Sequence, residues 1–192
     1  MNRLSGVCSA LVVLALITAI PAEATSSHHD TEHYNQRGLQ FEYPSSWRAA
    51  HFEDQSSFTA LLVVLSNQKM RSPCIRTKVS VGVQISCGRW GVARLDARGV
   101  LVEWFVGSAL PGNGVSLGPG LPMTIDGLPA RAQIARPGDC RSIGGQETIT
   151  VFIPTNQTSW YSMSACIRGP NLASTVRSVR ALLLSTKFAT GS

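Results

Sequence analysis

Apolar residues alternate with polar ones in several separate segments, and this two-residue period constrains the fold more than any other feature. Leu39, Phe41 and Tyr43 fall on one side of a predicted strand, because successive side chains of a strand point to opposite faces. The segment from Phe58 to Leu65 is almost continuously apolar, which predicts a strand covered on both faces. The alternation recurs in residues 79–85, 100–106, 130–134, 149–153 and 161–167.

One segment near the C-terminal end has a helical period instead. Its apolar stripe consists of Leu172, Val176, Val179, Leu182 and Leu183. Asn171 precedes the stripe and can cap the helix. Many strands followed by one strong helix predict an α+β domain, with a mostly antiparallel sheet packed by a C-terminal helix. With 44% hydrophobic and 15% charged residues, the chain is not of the disordered class.

Residues 1–24 have the pattern of a secretory signal peptide. Arg3 precedes an apolar run from Val7 to Ile20, and Ala22-Glu23-Ala24 provides the small-x-small sequence of a cleavage site. No cysteine directly follows the apolar run, so a lipid anchor is not expected. We therefore predict a secreted, extracytoplasmic protein whose mature chain begins at Thr25.

Residues 25–37 are polar, and we expect them to form a mobile tail before a single domain of residues 38–190. The tail contains His28, His29 and His33, and His29-x-x-Glu32-His33 matches a metalloprotease motif. That chemistry needs a helix, a third ligand and a cleft, none of which is expected in such a tail. No cofactor is expected, and the alternative function is Zn²⁺ or Cu²⁺ binding by the three histidines.

Loss of the signal peptide leaves four cysteines: Cys74, Cys87, Cys140 and Cys166. In an exported chain these predict two disulfides, for which three connectivities exist. We favour Cys74–Cys87 and Cys140–Cys166. The hairpin predicted over residues 149–167 places Cys166 near Glu147, where the chain arrives from Cys140.

The net charge of the mature chain is concentrated between Lys69 and Arg98, a segment that contains seven basic residues and one acidic residue, Asp96. The seven are Lys69, Arg71, Arg76, Lys78, Arg89, Arg94 and Arg98. The next stretch, residues 104–125, has no charged residue, and residues 107–120 include seven glycines or prolines. Long loops of this kind are often functional, whereas the alternative is a solvated basic face beside a poorly ordered loop.

Several short motifs resemble the PsbP-like superfamily over about residues 38–188. They are Phe41-x-Tyr43-Pro44-x-x-Trp47, Asp126-Gly-Leu-Pro-Ala130 before a strand, the hairpin, and the closing helix followed by Ser185 and Phe188. The chain is also similar to mycobacterial LpqN-type envelope proteins, although their lipid-bearing cysteine is missing. Three further stretches look like uncharacterised exported actinobacterial proteins: residues 99–104, 160–166 and 168–172. The resemblance implies an α/β sandwich with docking or accessory roles and no shared catalytic motif.

Motifs of common enzymes are missing, including GxSxG, the phosphate-binding GxxxxGK[ST] and the dinucleotide-binding GxGxxG. His51 is expected to be a partly buried structural histidine; a hydrolase, the second alternative, would place it beside a carboxylate and a hydroxyl. We therefore predict a non-enzymatic binding or accessory domain. Residues 69–98 and the neighbouring loop would bind an anionic envelope polymer, a lipid or a protein partner. Sequence-specific nucleic-acid binding is not expected, since Trp90 is the only aromatic residue in the basic segment.

Overall fold

The computed structural model describes residues 30–52, 58–72, 74–80, 82–87, 91–110 and 114–189. Within them the chain forms twelve strands, one α-helix and one short 3₁₀ helix. The strands are β1 (Thr31–Gln36), β2 (Leu39–Pro44), β3 (Arg48–Ala50), β4 (Thr59–Ser66), β5 (Cys74–Val79), β6 (Gly82–Cys87), β7 (Val100–Ser108), β8 (Leu121–Ile125), β9 (Leu128–Ala135), β10 (Glu147–Pro154), β11 (Ser159–Ile167) and β12 (Lys187–Phe188). The 3₁₀ helix spans Gly138–Ile143, and α1 spans Leu172–Ser185.

Seven strands form one antiparallel sheet in the order β3-β4-β7-β11-β10-β9-β8. The predicted hairpin of β10 and β11 lies near its centre, with Thr148 opposite Cys166. β8 and β9 are joined by Asp126 and Gly127, whose φ angles of 49° and 78° suit a two-residue hairpin turn. The α+β class, with mostly antiparallel sheets and a C-terminal helix, is thus confirmed.

The first face of the seven-stranded sheet packs against α1 and a smaller antiparallel sheet of β1, β2 and β12. Trp104 of β7 is completely buried there, with its ring 6.1 Å from that of Phe41 and 6.5 Å from that of Phe188. Val179 and Leu182 of α1 belong to the same core, as the helical stripe predicted. This layer is the main hydrophobic core.

The second face carries a smaller core near one end of β4, β7 and β11. Leu101 and Cys166 of the sheet are covered there by Leu95 and by Ile143 of the 3₁₀ helix. Cys140 forms a disulfide with Cys166, with the two Cα atoms 5.4 Å apart. The predicted Cys140–Cys166 pairing is confirmed, and it fastens the 3₁₀ helix to β11.

The prediction of a mobile tail over residues 25–37 is wrong for Thr31–Gln36, which form β1. Tyr34 is buried and stacks on Phe41, with the ring centroids 4.8 Å apart. Tyr43 Oη donates a hydrogen bond to Glu32 Oε2 at 2.7 Å. β1 therefore belongs to the folded domain, while residues 1–29, with the predicted signal peptide, lie outside the described residues.

The alternation of residues 79–85 does not form one strand, because the chain turns at Ser80 and continues as β6 from Gly82. Gly82 has a φ of 133°, which L side chains rarely adopt. β5 and β6 pair as a separate antiparallel hairpin in which Cys74 is opposite Cys87. The side chains of these two cysteines lie outside the described ones.

Asn171 immediately precedes α1, but its side chain makes no capping hydrogen bond, contrary to the prediction. Among the described residues, no helix has both the length and the apolar character needed to cross a membrane.

Candidate anion-binding surface

Several strands of the seven-stranded sheet begin or end at the same end of the sheet, because neighbouring strands run in opposite directions. Ser66 ends β4 beside Leu101 at the start of β7, and Ile167 ends β11 beside Val100. Glu147 begins β10 beside Ile167 in turn. The segments that join these strands therefore meet at one end of the sheet.

Outside the β5–β6 hairpin, eight basic residues with described side chains lie in these segments or at the adjoining strand ends, and we call their surface the basic end. Its members are Arg48, Lys69, Arg71, Arg94, Arg98, Arg136, Arg141 and Arg168. All are exposed except Arg168, which is half-buried. The acidic residues of the same segments and strand ends are Asp96, Asp139 and Glu147, of which Glu147 is buried and paired with Arg136. The basic end therefore has a clear positive excess.

Backbone and amide contacts hold two of its segments side by side. Asn67 Nδ2 donates to the carbonyl oxygen of Arg98 at 2.7 Å. Gln68 Nε2 donates to the carbonyl oxygen of Arg94 at 2.8 Å, and the Arg71 N–H donates to Gly91 at 2.9 Å. Because these bonds use backbone atoms of the arginines, their guanidinium groups are left free of this structural role.

A cavity of about 330 Å³ lies at the start of α1 and is lined by Arg98, Arg168, Asn171 and Ser174, among others. Arg168 is positioned by a 2.8 Å hydrogen bond from Nη1 to the carbonyl oxygen of Leu95. The first turn of α1 has no acidic residue. The helix dipole adds positive potential to that of the two guanidinium groups at this cavity.

The predicted basic residues fall into three groups. Lys69, Arg71, Arg94 and Arg98 come together at the basic end, whereas Lys78 is exposed on the β5–β6 hairpin. The side chains of Arg76 and Arg89 lie outside the described ones.

Sequence reasoning missed Arg48, Arg136, Arg141 and Arg168. Three of them directly adjoin a strand boundary: Arg48 begins β3, Arg136 follows β9, and Arg168 follows β11. Neighbouring antiparallel strands run in opposite directions. Once the strand order is known, these strand boundaries can therefore be assigned to the same end of the sheet.

The Gly/Pro-rich loop does not join this surface, contrary to the prediction that it would neighbour the basic segment. It leaves the opposite end of β7, where Ser108 pairs with Ser159. The N–H of Val115 donates to Gln157 in the β10–β11 turn at 2.8 Å. Arg98 and the loop are therefore separated by the nine residues of β7, or roughly 30 Å of strand.

The predicted metal ligands are not assembled in the described part of the chain. His28 and His29 lie outside it, and His33 is exposed on β1 with Nδ1 3.8 Å from Glu42. The described residues include no group of three or more His, Cys, Asp or Glu that could hold a metal ion.

His51 is exposed rather than partly buried, and its Nδ1 donates a hydrogen bond to the carbonyl oxygen of Leu62 at 2.8 Å. Its ring lies 5.7 Å from that of Tyr34. Both contacts tie His51 to the core layer and give it a structural role.

Compared with protein-family models, curated proteins and solved structures, the chain matches none of them.

Proposed function

We propose that this chain is an exported, non-enzymatic binding or accessory domain that engages an anionic component of the cell envelope through the basic end. The observation that carries the proposal is the meeting of Arg48, Arg94, Arg98, Arg141 and Arg168 at one end of the seven-stranded sheet. Like charges gathered in this way raise the local concentration of an anionic partner and its association rate.

Phosphate-rich polymer or anionic lipid is the preferred ligand class. Arginine presents a planar fork of donors that suits phosphate oxygens, and seven of the eight basic residues at this end are arginines. Phosphate also suits the cavity beside Arg98 and Arg168, where the helix terminus adds its positive potential.

Export is supported by the signal-peptide pattern and by the buried disulfide, since disulfides persist in oxidising compartments. The resemblance to the PsbP-like superfamily stays a prediction, and its docking and accessory roles agree with a binding domain. Function inferred from a fold alone would be analogy, so the proposal depends on the charge distribution.

The test is retention of the mature protein on immobilised polyphosphate over a salt series. Salt elutes the protein because exposed charges are screened as the Debye length falls below ~10 Å. The double variant Arg94→Ala with Arg98→Ala has two fewer charges at the basic end and should elute at clearly lower salt than the wild type. The matched control is Arg177→Ala with Arg180→Ala, which removes equal charge from exposed positions of α1. Equal elution of the two double variants would show that the basic end has no special role.

We also propose the second predicted disulfide, Cys74–Cys87. The two residues are directly opposite each other in an antiparallel pair, where Cα atoms are about 4.5–5.5 Å apart, within the range that a disulfide spans. The bond would close the β5–β6 hairpin at its base. Non-reducing peptide mapping of secreted protein should yield a Cys74–Cys87 peptide; free thiols at both positions would contradict the pairing.

A further inference from the structure

The Gly/Pro-rich loop folds back over the second face of the seven-stranded sheet. Gln133 Nε2 donates to the carbonyl oxygen of Pro119 at 2.8 Å, and Arg131 Nη1 donates to that of Gly120 at 3.2 Å. Gly120 has a φ of 137°, and a Cβ added there would lie 2.7 Å from the carbonyl oxygen of Ala132. This close approach of loop to sheet therefore requires glycine at position 120.

A cavity of about 320 Å³, open to solvent on one side, lies between the loop and the sheet. Leu117, Pro119 and Phe152 give it apolar walls, and Arg131 and Thr150 add polar groups. A volume near 300 Å³ is at the lower end of the range for small-molecule sites, which are typically apolar with a few polar groups that fix orientation.

Arg131 is the unusual member of this lining. Among the described residues its buried Nε has no hydrogen-bond partner, and its guanidinium group makes one hydrogen bond, from Nη1 to Gly120. Within those described residues, no carboxylate lies within ion-pair distance of its guanidinium group. Arg131 therefore lines the cavity as a cation without a carboxylate partner among the described residues, which suits an anionic ligand.

We propose that the cavity binds a small organic acid with one carboxylate and a compact apolar body. The carboxylate would pair with the Arg131 guanidinium, and the apolar body would lie against Phe152 and Leu117. The ion pair would be a charge-assisted hydrogen bond from a guanidinium N–H to a carboxylate oxygen, which is stronger than a hydrogen bond between neutral groups. This site is separate from the basic end and does not depend on the proposed envelope function.

The experiment is a titration of the ¹⁵N-labelled mature protein with benzoate, followed by two-dimensional NMR that includes arginine Nε–H signals. We expect saturable shifts of the Arg131 Nε–H and of the amides of residues 116–118 and 150–152. Benzyl alcohol has a similar shape without the charge and should bind at least about tenfold more weakly, a difference of about 1.4 kcal/mol. This comparison uses the wild-type protein and so does not depend on a variant folding.

Two variants locate the site. Arg131→Gln should weaken benzoate binding by about tenfold or more, whereas Arg177→Gln, at an exposed position of α1, should leave it unchanged. Benzoate shifts that do not saturate, equal affinity for benzyl alcohol, or shifts at Arg94 and Arg98 instead would each overturn the proposal. The double variant Arg94→Ala with Arg98→Ala should retain benzoate binding, which separates this site from the basic end.

Discussion

The carboxylate of Glu147 is almost completely buried, and its Oε2 accepts a hydrogen bond from the exposed Arg136 at 2.7 Å. Glu147 begins β10, and Arg136 follows β9. The pair therefore connects two neighbouring strands at the basic end, where one arginine has a structural rather than a binding role.

Arg136→Ala should lower the free energy of unfolding by about 1–2 kcal/mol, because it leaves the Glu147 carboxylate buried without its partner. Arg141→Ala removes the same charge from an exposed position nearby and should change stability by less than about 0.5 kcal/mol. Urea denaturation of both variants makes the comparison. Equal losses would mean that general charge, not the pair, sets the stability of this end.

Replacing Cys140 and Cys166 by alanine should lower the free energy of unfolding by about 2–5 kcal/mol, the usual cost of removing a disulfide from a small domain. The loss should be local at first, since the bond fastens the 3₁₀ helix to β11. Hydrogen exchange should therefore speed up in residues 138–145 before it does in β4 or β7. Uniform acceleration across the sheet would contradict this order.

Tyr34→Phe should leave stability unchanged or raise it by up to about 1 kcal/mol, because the buried Tyr34 hydroxyl has no hydrogen-bond partner in the described part of the chain. Burial also raises the pKa of this hydroxyl, although the nearby Arg37 lowers it. Tyr34→Ala removes the ring stacked on Phe41 and should cost about 3–5 kcal/mol. If neither variant lowered the free energy of unfolding, the result expected for a mobile tail, β1 would not contribute to the core.

Acid should destabilise the protein partly through Asp126. A hydrogen bond from the Phe188 N–H, and then one from Lys187, lower the pKa of this carboxyl. The unfolded chain, in which the pKa of aspartate is about 4, therefore binds the proton more readily than the folded protein. The stabilisation is present above that pH and is lost as the pH falls through the lowered pKa.

Asp126→Asn should remove this part of the acid-dependent loss while still allowing the positive φ of the turn. Lys187→Ala removes only the second contact, so its pH profile should lie between those of the wild type and Asp126→Asn. Thermal unfolding from neutral pH down to about pH 3 provides the measurement. Identical acid profiles for all three proteins would show that these contacts do not contribute.

The sequence predicted the strands that bury one regular face and could not predict β1. Leu39, Phe41 and Tyr43 of β2 all point to the core, whereas only Tyr34 of β1 is buried. The sequence of β1 therefore has no alternation of apolar and polar residues that would predict a strand. The alternation around Val79 and Val83 continued through a turn and predicted one strand where two exist. Both valines are exposed, so burial did not produce this alternation.

The candidate site was predictable only in part because its residues are distant along the chain. Lys69 to Arg98 is a local excess of charge that composition detects. Arg48 and Arg168 join it only through the order of strands in the sheet, which depends on long-range pairing. The same order carried the Gly/Pro-rich loop to the other end of β7, although the two segments are close in sequence.

The position of β2 has a consequence for biosynthesis. β2 pairs on one side with β1, a few residues before it, and on the other with Lys187 and Phe188 of β12. Glu42 and Ser185 are likewise hydrogen-bonded across 143 positions of sequence. The smaller sheet therefore stays incomplete until the ribosome has made residue 188, so the main core closes only after translation of nearly all the described chain. A nascent chain that cannot close its core early stays unfolded for longer.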